Sequence, residues 1–190
     1  MRNVGSNKME TTEKIVEAYC RHIKRWFTIS NIKCGGQYEI DILAVEFAQS
    51  GQPLIYHIES GVSISGGFSK LTAKPFSEKD LKTREKAASQ RRTIGFFIQR
   101  KFGPEEVQSK IAEYGLNPAR AKKIIVTWGW EADAKAIADK EGIILWHFPD
   151  LLKELAGACA EGKTYFTDDT LRTLQLFMRS GHIALTKNEE

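Results

Sequence analysis

Two acids stand inside apolar runs: Asp41 within "YEIDILAVEF" and Glu59 within "LIYHIESGVSIS". Both runs are rich in β-formers, with "CGGQ" as a turn before the first and "AQSGQP" between them, so they read as two strands joined in a hairpin. Side chains two apart in a strand share a face, which groups Asp41 with Glu39, Leu43 and Val45, and Glu59 with His57, Gly61 and Ser63. Antiparallel pairing can set the two carboxylates side by side. Like charges in a low-dielectric site repel, so such a pair needs a proton, a cation or a metal ion. Magnesium suits it, because it takes oxygen ligands and is commonly bound through one or two carboxylates plus water and phosphate oxygens. A metal there can activate water and stabilise charge on a phosphodiester. Each acid also has a structural reading: Asp41 satisfied by backbone donors at a strand end, Glu59 neutralised by His57 or a nearby lysine.

The elements that must position these acids follow from periodicity. "TTEKIVEAYCRHIKRWF" places Ile15, Val16, Tyr19, Cys20, Ile23, Trp26 and Phe27 on one helical stripe, with Thr11 or Thr12 as cap. From Ser65 to Arg92 the chain holds eight Lys or Arg against three acids, read as a loop and then a polar helix over about Glu78 to Gln90. "TIGFFI" reads as a third strand, and "GPEEVQSKIAEYGL" as a helix begun by Pro104 and stopped near Gly115. "KKIIVTW", "EADAKAIADKEG" and "IILWHF" read as strand, helix and strand, which implies a parallel crossover. "PDLLKEL" and "TDDTLRTLQLFMRSG" read as two closing helices, the second ending at Gly181. This order predicts an α/β layered domain with a mixed sheet.

A first helix, then "EIDILAV", then "HIES" resembles the core of the PD-(D/E)xK nucleases, in particular their restriction-endonuclease-like and Holliday-junction-resolvase-like branches. The resemblance implies a three-layer fold with a central mixed β-sheet flanked by helices, a nuclease core over residues 1–156 and a C-terminal helical extension over 157–190. It also implies that Asp41 and Glu59 hold Mg2+ or Mn2+, that an acid of the first helix assists, and that DNA phosphodiesters are hydrolysed by in-line attack of water. Glu13 borders the apolar stripe beside Cys20 and Phe27, whereas Glu17 lies further toward solvent, so Glu13 is the preferred helix acid. The family lysine, two residues after the second acid, should stand where this chain has Gly61. Some family members recruit that cation from another element. The candidates are Lys70 and Lys74 in the loop, then Lys82 and Lys86, whose spacing of four puts them on one face of the expected helix. The alternative reading is a catalytically degenerate nuclease fold that binds nucleic acid or a protein partner.

Composition is compatible with both readings. The 190 residues fit one domain, and the net charge of +4 is mild. Lys70, Lys74, Arg91 and Arg92 are the candidate phosphate contacts, although a solvated helix face accounts for such a stretch about as often. No apolar run approaches the ~18 residues of a membrane span, and "MRNVGSNKME" lacks the apolar core of a secretion signal, so a cytoplasmic protein is expected. Cys20, Cys34 and Cys159 share no metal-type spacing and are expected to be reduced thiols. His22, His57, His147 and His182 likewise lack a shared ligand spacing. Trp26, Trp128, Trp130 and Trp146 are read as core aromatics, with Trp130 the one to inspect for exposure. Cutting both strands of a duplex would favour a two-fold homodimer.

Overall fold

The structure, a computed structural model, describes residues 10–47, 51–63, 70–160 and 166–186, with side chains as far as Ser180. The expectations for residues 1–9 and for most of the "SGGFSK" loop lie outside the described residues.

Helix α1, Thr11–His22, is preceded by Glu10 as its cap rather than by Thr11 or Thr12. The Glu10 N–H donates to Glu13 Oε2 at 3.1 Å, and the Thr12 hydroxyl is turned inward toward the Val62 carbonyl at 3.5 Å. The helix ends before the stripe read from the sequence does. Arg25 takes a left-handed conformation, with φ 63°, and turns the chain out of the helix. Trp26 then stacks on Tyr56 with ring centroids 3.9 Å apart, and Phe27 opens strand β1, Phe27–Lys33. This strand was not expected. Its apolar residues continued a helical stripe on paper, but "FTISNIK" alternates as a strand does and is β-branched at Thr28, Ile29 and Ile32.

β2, Glu39–Glu46, and β3, Leu54–Ser60, form the expected hairpin, and β1 adds antiparallel to β2. The expected polar helix is broken in two: α2, Glu78–Leu81, and α3, Arg84–Gln90, are separated at Lys82 and Thr83. "TIGFFI" is also corrected. Thr93 accepts from the Phe96 N–H at 3.1 Å as an N-cap, and the chain winds through α4, Ile94–Phe96, into a π-helical segment, Phe97–Phe102. Aromatic and β-branched content suggested a strand, but the polar "QRK" that follows and the Thr93 cap belong to a helix whose apolar residues point one way.

The remaining elements are α5, Glu105–Glu113; β4, Lys122–Thr127; α6, Ala132–Lys140; β5, Ile143–His147; α7, Phe148–Ala160; and α8, Asp169–Thr186, which runs past Gly181. β3 pairs parallel with β4 and β4 parallel with β5, so the sheet is mixed and ordered β1-β2-β3-β4-β5. Helices flank it. α1 and α7 cover one face through Val16, Cys20 and Leu151 against Ile42, Ile58 and Ile124. The π-helical segment and α6 pack Phe97, Phe102 and Ala134 around Ile125, and α5 packs Val107 and Ile111 against Leu43 and Ile55. α8 buries Leu171 beside Leu155, Cys159 and Ala18. Among the described residues, no helix is long and apolar enough to cross a membrane.

Candidate active site

The β2–β3 register sets Ile42 opposite Ile58, and one step further it sets Asp41 opposite Glu59. The Ser60 N–H donates to Asp41 Oδ2 at 2.8 Å, and the Asp41 N–H approaches Glu59 Oε1 at 3.4 Å. Both acids are enclosed, Asp41 at 4% exposure and Glu59 at 0%. Lys101 joins them. Its Nζ lies 2.9 Å from Asp41 Oδ1 and 2.6 Å from Glu59 Oε2, so one ammonium bridges two carboxylates.

That lysine reaches the sheet from the π-helical segment. Hydrogen bonds spaced by five residues wind the backbone so that Phe97 and Phe102, both nearly fully buried, point inward together, and Lys101 is carried in beside Phe102. Gly103 ends the segment: a β-carbon there would lie 2.7 Å from the Ile98 carbonyl, so only glycine lets the wide turn close. The same segment explains Gly61. A β-carbon at residue 61 would lie 2.9 Å from Phe97 Cζ. The space a side chain at residue 61 would take is filled by the element that delivers Lys101.

The charges do not cancel. Burial, and then the Glu59 charge, raise Asp41 to about 7 against the opposing pull of Lys101. Burial also raises Glu59, again opposed by Lys101. For Lys101, burial favours the neutral amine, but Glu59 and Asp41 outweigh it and hold the ammonium protonated beyond the ordinary lysine range. With both acids ionised the cluster carries one uncompensated negative charge, which a proton or a further cation must meet. The two acids therefore titrate as a coupled pair.

His57 lies on the same face, with Nε2 2.6 Å from Glu59 Oε1. Burial lowers its pKa to about 3, so the imidazole is neutral, and with its one proton on Nε2 it would donate to the carboxylate.

The helix acids separate clearly. Glu13 is raised to about 7, first by burial and then by the Asp41 charge. Glu17 instead accepts from the Thr28 and Ser30 hydroxyls at 3.0 and 3.2 Å and is tied to β1. Of the two, Glu13 is the one that senses the Asp41 charge.

Among the lysines, the expectation is corrected: the cation at the two acids is Lys101, and not Lys70, Lys74, Lys82 or Lys86. Lys86 is exposed and paired with Asp80 at 3.0 Å. Lys82 caps the end of α2, and the break after it removes the shared helical face with Lys86. Lys70 and Lys74 are exposed, as is Arg91. Lys70 and Arg92 line a narrow crevice with Gly61, Leu71, Phe97 and Thr127. Arg100 turns away, packing over the Tyr38 ring and pairing with Glu78 at 3.1 Å. Trp130 is half-buried, and Trp128 donates to the Ser63 carbonyl at 3.2 Å.

The donor set suits a hard divalent ion. Two carboxylates face one another with a net negative charge, and Glu59 Oε2 is buried with no well-aligned hydrogen-bond donor, only the Lys101 ammonium beside it. Among the described residues no three His, Cys, Asp or Glu side chains form a preformed metal cage. A site of two acids completed by water and phosphate is the magnesium pattern. Comparison of the chain with protein-family models, with curated proteins and with solved structures finds no match.

Proposed function

We propose that this chain is a metal-dependent nuclease of the PD-(D/E)xK type, with a restriction-endonuclease-like fold, that hydrolyses DNA phosphodiester bonds. The observation that carries the reading is the Lys101 ammonium within 3 Å of both Asp41 and Glu59. The cation missing at Gly61 is thereby supplied from another element, which weighs against a degenerate site. Mg2+ or Mn2+ bound by Asp41 and Glu59 would supply a Lewis acid and a water of lowered pKa.

The protein's own groups divide the rest. Asp41 and Glu59 hold the cation from adjacent strands. Lys101 offers N–H donors to the charge that develops on the scissile phosphate, preorganised by its burial. Glu13, with a pKa about 7, accepts or holds a proton at the edge of the pair. Lys70, Lys74, Arg91 and Arg92 would neutralise backbone phosphates.

The test is a cleavage assay on plasmid and branched DNA with Mg2+ or Mn2+, comparing the chain with D41A and K101A proteins. Metal-dependent cutting lost in both variants is expected. Activity indistinguishable from D41A sinks the reading, and steeply salt-dependent DNA binding without cutting would return the binding-module alternative.

A further inference from the structure

Glu59 can offer a cation only the oxygen that its neighbours leave open, and its two oxygens are held differently. Oε1 lies 2.6 Å from His57 Nε2 and 3.4 Å from the Asp41 N–H. Oε2 has no aligned donor and faces Lys101 Nζ at 2.6 Å. His57 and Glu59 are two apart in β3 and share its face, and their side chains are 2% and 0% exposed, so water cannot substitute for this hydrogen bond. The Phe102 ring stands edge-on to the imidazole, with centroids 4.8 Å apart and planes at 80°. Phe102 adjoins Lys101, so the segment that brings the ammonium also seats the histidine.

We propose that His57 is a positioning residue for the cation site: by occupying Oε1 it fixes the Glu59 carboxylate with Oε2 presented to Lys101 and to a divalent metal ion. The inference rests on the metal-site reading above. Carboxylates that bind metal are oriented by hydrogen bonds from a second layer of residues, and removing such a partner typically lowers metal affinity by about 10–100-fold. A histidine that only fills core would behave differently, because phenylalanine replaces its ring volume and would leave affinity unchanged.

The experiment is calorimetric titration of Mn2+ into the full chain without nucleic acid, for wild type, H57F and H57Q, each shown to melt cooperatively. H57F is expected to bind Mn2+ about 10–100-fold more weakly, and H57Q, which restores an N–H donor, to recover most of that loss. Equal affinity in wild type and H57F overturns the inference, as does an equal loss in H57F and H57Q. A wild-type chain that binds no Mn2+ overturns the metal-site reading and this inference with it. A measurement without variants decides the matter even where H57F fails to fold: long-range 1H–15N spectra of the histidines with and without Mg2+. The Nε2-protonated tautomer of His57 is expected in both, and an Nδ1-protonated ring overturns the assignment.

Discussion

Gly61 and Phe97 are in direct contact, with the position of a β-carbon on the glycine only 2.9 Å from Phe97 Cζ. Phe97 lies four residues before Lys101 on the segment that crosses the acids, and Gly61 lies two residues after Glu59, just past the end of β3. The glycine and the lysine are therefore two sides of one arrangement: the segment can bring its ammonium down only where the chain leaving β3 has no side chain.

Gly61→Ala should accordingly destabilise the fold. Overpacking a filled core typically costs about 1–3 kcal/mol, which in a domain of this size lowers the melting temperature by about 2–4 °C per kcal/mol. Thermal melts of G61A read it directly, and an unchanged midpoint would mean that Phe97 yields freely. For the same reason G61K should not restore cutting to a K101M protein.

Loss of Lys101 should be pH-dependent. Without the ammonium, two buried carboxylates lose their counter-charge, and breaking a buried pair in this way typically costs about 3–5 kcal/mol. Asp41 and Glu59 both have folded pKa values above their unfolded ones, so their ionisation opposes folding as pH rises through the folded value, about 7 for Asp41. K101M should lie closest to wild type near pH 5, where protons replace the lysine, and furthest from it near pH 8. Urea unfolding at the two pH values checks this; a gap that narrows at pH 8 contradicts it.

Metal affinity should rise with pH across the same window. Glu13 and Asp41 are both held up to about 7, so at pH 6 a binding cation must displace protons that are gone by pH 8. The Mn2+ dissociation constant should fall between pH 6 and 8, and more shallowly in E13Q. Calorimetry in buffers of different ionisation enthalpy counts the protons released.

The lysines should separate in a cleavage assay. Removing a preorganised donor to transition-state charge costs about 10²–10³ in rate, which is the loss expected for K101A. K82A and K86A, which alter exposed side chains, should stay within about twofold of wild type.

DNA affinity should weaken with salt in proportion to the phosphates neutralised. If Lys70 and Lys74 each contact one, K70A and K74A should each flatten the log–log salt slope by about 0.9. Filter binding from 50 to 200 mM salt resolves such a change, and unaltered slopes would leave these residues as solvated surface.

Asp41 and Glu59 were legible as a pair because strand periodicity is local and the hairpin connecting them is short. That Glu13 rather than Glu17 senses Asp41 was in keeping with its place beside the apolar stripe, although the cap of the helix was assigned to the threonines. Lys101 was missed because "TIGFFI" has the composition of a strand, which left "QRK" to be read as the loop beyond it. The available signal was Thr93 as a cap and the five-residue interval between Phe97 and Phe102, a spacing that fits neither a strand nor an ordinary helix. β1 was missed for a related reason, since a helical stripe and an alternating strand overlap at Trp26 and Phe27 until Arg25 turns the chain.

What the sequence determined by itself was the facing pair of acids, because two-residue alternation and a hairpin register need no distant partner. Only the tertiary structure decided which cation meets them. Lys101 is 60 residues from Asp41, and its position depends on Phe97 and Phe102 finding the sheet and on the gap left at Gly61. Contacts of that range are settled by packing, and the local pattern around a lysine carries no record of the strand it will cross.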